Sequence, residues 1–322
     1  MKNHLTHSSF ATPLWDLFCT LSIIGIWPRF LEPNLILTSK LSLPIPNLHP
    51  SLQGFKILQI SDLHLHPGVP NCFLKKIASK IKKYKPDLIA VTGDFLCYSR
   101  LTAPDKLRKM LQSFQAPFGC YAVFGNHDYK ECVSINSEGE YDVISNSSSL
   151  AKAFTRLQES VILKKSITER AKNVPMHQEL LNLLDDTPIK LLHNSTITLP
   201  IHDTKLNITG LGEYMLGRLD AKTAFKNYDA NYPGIILLHN PDGAPYLKDF
   251  PGNIILCGHT HGGQVNLPWL WRKFTLLENM NFKKGLSKQD KKWVYVNRGI
   301  GSVIPFRWFS PPEILLLTLE SQ

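Results

Sequence analysis

The chain has 322 residues, 43% hydrophobic and 19% charged, which excludes a disordered chain and suits one large α/β domain or a domain carrying an insertion. Its formal net charge of +10 calls for an anionic partner: nucleic acid, an anionic membrane surface or a phosphorylated substrate. The six cysteines show no CxxC spacing and fit a reducing compartment.

Residues 1–50 read as a membrane-associating segment and 51–322 as one catalytic domain. Leu14 to Trp27 is mostly apolar around Asp16 and closes at Pro28-Arg29. That run is shorter than the ~20 apolar residues a spanning helix needs. It reads as a helix lying in the membrane interface, continued by Phe30, Leu31, Leu35, Ile36 and Leu37. A helix docked on the protein's own core is the open alternative.

From Gly54 the pattern becomes strand, helix, strand. Strands are predicted over 55–61, 88–92 and 119–124, with basic amphipathic helices over 73–84 and 105–114 between them. Residues 131–192 break the rhythm with a polar stretch and two helices, over 150–163 and 176–184, and no strand pattern. An insertion of this size serves as a lid or a binding surface, or as loosely ordered decoration. Strand patterns resume over 197–200, 206–211, 235–238, 253–257, 293–296 and 313–319.

Five of these strands end in side chains able to bind a metal. They are Asp62 with His64, Asp94, Asn126 with His127, His239, and His259 with His261 in the run Gly258-His259-Thr260-His261-Gly262-Gly263-Gln264. The carboxyl edge of an α/β sheet is where a shared site is assembled. Carboxylate, carboxamide and imidazole without thiolate suit Mn²⁺, Fe²⁺ or Zn²⁺ better than a structural thiolate zinc.

The blocks Asp62-x-His64, Gly93-Asp94, Gly125-Asn126-His127-Asp128, His239 and Gly258-His259-x-His261 occur in order between about Gly54 and Leu319. In them the chain resembles the calcineurin-like metallophosphoesterases. The resemblance implies a four-layer α/β/β/α sandwich, two mixed sheets flanked by helices, where periodicity alone supports only mixed α/β. It implies two divalent metal ions, Mn²⁺ first, with Fe²⁺ or Zn²⁺ as alternatives. One would be held by Asp62, His64, Asp94 and His261, the other by Asp94, Asn126, His239 and His259, with Asp94 shared. His127 would act near the leaving group, oriented by Asp128. Two ions ~3.5–4 Å apart clamp the attacking and leaving oxygens of an in-line displacement at phosphorus.

Arg298 and Arg307 stand in Gly- or Pro-bounded loops near strand ends, as candidates to clamp substrate phosphate or to form surface salt bridges. Glu32-Pro33, Asn297-Arg298-Gly299-Ile300-Gly301 and Pro311-Pro312-Glu313 look like the family's membrane-associated branch. That resemblance implies a UDP-2,3-diacylglucosamine pyrophosphatase of lipid A synthesis at the cytoplasmic face of the bacterial inner membrane. Its substrate would be an amphipathic nucleotide-sugar lipid, and one product UMP. Such a substrate needs an apolar groove beside the metal site, for which the central helices and the loop from Trp269 to Phe282 are candidates. A phosphodiesterase or phosphatase acting on a soluble substrate or on nucleic acid stays open, as does a non-catalytic membrane scaffold. The full ligand set argues against the scaffold.

Overall fold

The structure is a computed structural model and describes residues 11–144, 161–268, 270–304 and 306–322. Its strands in chain order are β1 (Leu37–Ile45), β2 (Lys56–Ile60), β3 (Leu88–Thr92), β4 (Cys120–Val123), β5 (Val133–Ile135), β6 (Tyr141–Val143) and β7 (Ile189–Leu191). They continue with β8 (Ser195–Ile201), β9 (Thr204–Gly210), β10 (Gly234–Leu237), β11 (Ile254–Cys257), β12 (Gly285–Gln289), β13 (Lys292–Val296) and β14 (Glu313–Ser321).

Two six-stranded sheets result, in the orders β1-β14-β2-β3-β4-β7 and β12-β13-β11-β10-β9-β8. Both are mixed. β2, β3, β4 and β7 run parallel, and so do β9, β10, β11 and β13, while β14, β8 and β12 pair antiparallel to their neighbours in those runs. Alternation along each strand explains the layering, because successive side chains point to opposite faces. Ile57, Leu88, Ala90, Tyr121 and Val123 of the first sheet meet Ile208, Ile235, Leu237, Ile254 and Leu256 of the second in one core. The intervening residues of the first sheet, such as Leu58, Ile89 and Val91, pack under the helices Asn71–Tyr84, Pro104–Gln112 and Gln178–Asp185. Ile236, Ile255 and Cys257 face the short helix Ala221–Ala224 and the 3₁₀ stretch Pro241–Leu247. Buried Gln59 ties the sheets together at the edge that carries the site, its Nε2 donating to Thr92 Oγ1 at 2.9 Å and to Cys257 O at 2.8 Å.

Five strands escape the sequence pattern. β1 lies within the segment 1–50 yet pairs in parallel with β14 over nine residues, so the catalytic sheet starts before residue 51. β5 and β6 form a small antiparallel ribbon inside 131–192, and β7, in the same stretch, joins the first sheet beside β4. β12 closes the outer edge of the second sheet. The helix expected over 150–163 lies, for residues 145–160, outside the described residues.

The N-terminal helix is longer than its apolar run. It is α-helical over Ala11–Leu21 and continues with wider, π-type winding over Ser22–Leu31, around Pro28, which has no N–H to give to a regular turn. Pro13–Asn34, 22 residues, is long and apolar enough to cross a membrane, where the sequence run alone read as too short. Leu14, Trp15, Phe18, Ile23 and Ile24 are each at least half exposed, so this helix is not packed into the core.

The helix is nevertheless fastened at its end. Buried Glu32 accepts hydrogen bonds from Trp27 Nε1 at 2.6 Å, from the Phe309 amide at 3.0 Å and from the Ser310 amide. The Arg307 amide donates to Pro28 O at 2.8 Å.

Candidate metal centre

The loops that leave β2, β3, β4, β10 and β11 converge on one spot. Asp62, His64, Asp94, His259 and His261 all take left-handed backbone conformations, with φ between 40° and 72°. Such conformations cost free energy in non-glycine residues and turn each side chain off its strand toward the common centre. Two glycines make the approach possible. A Cβ on Gly125 would lie 2.3 Å from Asp94 Oδ1, and one on Gly258 would lie 2.6 Å from Asp62 Oδ2.

Asp94 sits in the middle. Its Oδ2 is 3.5 Å from His64 Nε2 and 3.3 Å from His239 Nε2, and its Oδ1 accepts the His127 amide at 2.9 Å. On one side, His64 Nε2 is 3.0 Å from His261 Nε2, which is 3.6 Å from Asp62 Oδ1. On the other, Asn126 Oδ1 lies 3.2 Å from His239 Nε2 and 3.0 Å from His259 Nδ1. Asp62, His64 and His261 bring ligand atoms within 4.8 Å of one another, and so do Asp62, Asp94 and His239.

Hydrogen bonds behind the cluster orient its lone pairs. His64 Nδ1 lies 2.9 Å from Leu96 O and His239 Nδ1 lies 2.6 Å from Thr92 O; a carbonyl only accepts, so both rings carry a proton on Nδ1 and present Nε2 inward. Asn126 Nδ2 donates to Val133 O at 2.8 Å, which turns Oδ1 inward. Burial pushes His64 and His259 down to about 3, so both are neutral near pH 7. Burial would lower His239 too, but Asp94 outweighs it and holds the ring well above the usual range. Acceptors therefore converge on Asp94 with a deficit of positive charge. The donor set of oxygens and imidazole nitrogens, with the His239 proton answering the Asp94 charge that a bound cation would answer, fits divalent metal ions.

His127 stands beside this group, its ring edge-on to His64 at 4.8 Å between centroids. The Tyr98 amide donates to His127 Nδ1 at 3.0 Å, so the proton of the neutral ring is on Nε2. Asp128 does not touch that ring. Its buried carboxylate accepts the amides of Asp94 at 2.7 Å, Gly125 at 2.9 Å and Leu96 at 3.0 Å, and so fixes the loops that carry Asp94 and Asn126. The expectation that Asp128 orients His127 is corrected accordingly: the group holding the ring is the Tyr98 amide.

The two arginines find partners within the fold. Arg298 Nε and Nη2 are each 3.1 Å from the Glu313 carboxylate, the salt-bridge alternative. Arg307 is fully buried and donates to the carbonyls of Arg298 and Ser310 at 2.9 Å, to Gly301 O, and toward His261 Nδ1 at 3.1 Å. Burial lowers its pKa only to about 10, so it stays charged. The Arg307 guanidinium is committed within the fold, while Arg298 holds Glu313 through Nε and Nη2. Arg307→Leu strips those carbonyls of their donor, and we expect a stability loss of about 3–5 kcal/mol. Chemical denaturation reads it; a loss below about 1 kcal/mol would mean that the carbonyls find other donors.

Glu213 went unread in the sequence. It is fully buried three residues beyond β9, a sixth strand end carrying a ligand-type side chain, and accepts the Met215 amide at 3.1 Å. Burial raises its pKa to about 7, and its charge is felt at His239.

Residues 55–263 match the family model described as calcineurin-like phosphoesterase. The chain is 41% identical over 304 residues to UDP-2,3-diacylglucosamine pyrophosphatase LpxG of Chlamydia muridarum, an alignment covering 91% of this chain and 92% of that protein. It is 40% identical, over the same shares, to LpxG of Chlamydia trachomatis. It is also 29% identical to the uncharacterized metallophosphoesterase YkuE of Bacillus subtilis, across 92% of this chain and 89% of that one.

Proposed function

The chain belongs to the calcineurin-like phosphoesterases, and within that family we propose that it hydrolyses the pyrophosphate of UDP-2,3-diacylglucosamine to UMP and 2,3-diacylglucosamine 1-phosphate in lipid A biosynthesis. The observation that carries this reading is the identity of about 40% sustained over 91% of the chain to two pyrophosphatases of that name. The cluster around Asp94 supplies matching chemistry.

Two divalent cations, with Mn²⁺ ahead of Fe²⁺ or Zn²⁺, would be held by Asp62, His64, Asp94 and His261 and by Asp94, Asn126, His239 and His259, and would supply Lewis-acid polarisation of the phosphoryl oxygens. Water adds to one phosphorus, the P–O–P linkage breaks, and the departing oxygen takes up a proton or stays anionic. His127 carries its proton on Nε2, the nitrogen opposite the Tyr98 amide, and is the donor available for that oxygen. Asp128 takes no proton in this scheme. It keeps the Asp94 and Gly125 amides in place.

The helix Pro13–Asn34 anchors the enzyme to the bilayer that holds its lipid substrate, and the reaction takes place at the cytoplasmic face of the bacterial inner membrane. Recovery of the protein in the supernatant after membranes are sedimented would remove that placement. The activity is tested with protein loaded with Mn²⁺ and UDP-2,3-diacylglucosamine in detergent micelles, separating nucleotide from lipid. Release of UMP that depends on the metal is the expected result. No turnover, with a soluble bis(aryl) phosphodiester still cleaved, would remove the lipid substrate and leave the phosphoesterase.

A further inference from the structure

The central helices and the loop from Trp269 to Phe282 are candidates for an acyl groove, and Phe282 itself is buried in the core behind the second sheet. An apolar cleft of about 420 Å³ lies elsewhere, between the N-terminal helix and the loop before β14. Ile23, Ile26, Trp27 and Leu31 form one wall, and Trp308 and Phe309 the other. Its volume falls within the roughly 300–1,000 Å³ of small-molecule sites. Among the described residues no charged side chain lines it, and the hydroxyl of Ser22, its one polar side chain of that kind, already donates to Phe18 O at 2.7 Å.

We propose that this cleft receives an acyl chain of the lipid substrate, directly from the bilayer, and so sets chain-length selectivity; the proposal rests on the functional reading above. Three observations select that occupant. First, one wall is the helix long and apolar enough to cross a membrane, with Ile23 and Ile26 exposed, so on the proposed anchoring a chain leaving the bilayer along that helix reaches the cleft without crossing water. Second, the opposite wall adjoins the metal centre. Ser310, next to Phe309, donates through Oγ to His261 O at 2.6 Å, and the Trp308 amide donates to Gln264 O at 2.9 Å, three residues beyond His261. A ligand with its phosphates at the metal centre and its tails in the cleft therefore spans one short loop. Third, Trp308 Nε1 is shielded from solvent and has no hydrogen-bond partner among the described residues. A buried indole N–H is a donor left over, and the ester or amide oxygen at the head of an acyl chain would satisfy it. Glu32, bonded to Trp27 and to the amides of Phe309 and Ser310, fixes the spacing of the two walls.

The test uses the full chain, loaded with Mn²⁺, in mixed micelles. Substrates carrying long and short (hexanoyl) acyl chains are compared for wild type, Ile26→Trp, which fills the cleft, and Phe309→Ala, which opens it. We expect the ratio of kcat/KM for the long-chain to the short-chain substrate to fall about tenfold in Ile26→Trp, a loss borne by KM, and to shift in Phe309→Ala. An unchanged ratio in both variants, or an equal fall for both substrates, would overturn the proposal. A second readout does not need turnover. 2,3-Diacylglucosamine 1-phosphate with a photoreactive diazirine on its acyl chain is expected to label peptides spanning residues 22–31 and 306–309, and labelling confined to other peptides would place the chain elsewhere. If wild type fails on every diacyl substrate while a soluble phosphodiester is cleaved, the functional reading falls, and the labelling pattern still decides whether the cleft takes an acyl chain.

Discussion

Asp94→Asn is expected to lower kcat by about 10³-fold or more, because one carboxylate serves both halves of the cluster. Its Oδ2 stands between His64 and His239, at 3.5 and 3.3 Å, while its Oδ1 holds the His127 amide. Asparagine keeps the shape and an acceptor for that amide but removes the negative charge that the surrounding imidazoles answer. The fold is expected to survive, since the Asp128 carboxylate still gathers the amides of residues 94, 96 and 125. Steady-state kinetics with elemental analysis of bound metal reads the result. A variant within tenfold of wild type, with its metal content intact, would show that Asp94 is not the shared group.

His127→Ala should cost about 10²–10⁴-fold in kcat on the diacyl substrate. Among bis(aryl) phosphodiesters the loss should be larger for phenyl than for 4-nitrophenyl esters, because the more basic leaving oxygen needs the proton more. The asymmetry follows from the Tyr98 amide, which fills Nδ1 and leaves the ring one proton, on Nε2. An equal loss on both esters would make His127 an electrostatic or packing element rather than a donor to the leaving oxygen. Neither outcome depends on the acyl cleft, because both esters are compared at saturation.

The site was legible because its residues are short polar interruptions at the ends of apolar runs, a pattern that survives in one dimension. Strands β3, β4, β10 and β11 are apolar or nearly so and β2 carries Ile57, Leu58 and Ile60, and the ligands stand within a few residues of their ends. What stayed hidden depends on partners remote in sequence. β1 reads as a mixture, with Thr38, Ser39, Lys40 and Ser42 along its edge and Pro44 near its end, and only its pairing with β14 makes it a strand. β7 has three residues. Arg307 resembled a phosphate clamp until the carbonyls of Arg298, Gly301 and Ser310 closed around it. Asp128 lies behind the cluster, and no spacing rule reveals that its carboxylate turns to three backbone amides. Glu32 was singled out only as part of a Glu-Pro pair; its partners Phe309 and Ser310 are 277 and 278 residues away.

The parallel pairing of β1 with β14, from Leu37 opposite Glu313 to Ile45 opposite Ser321, has a consequence for how the molecule is made. The first strand off the ribosome must wait for the last. At ~5–20 residues per second that wait lasts some tens of seconds. Throughout it the apolar helix just before β1 has already emerged, while the sheet it leads into cannot close. On the proposed anchoring, the bilayer takes up the helix before the catalytic domain exists, and the domain is completed on a chain already tethered. Loss of β14 would leave β1 unpaired.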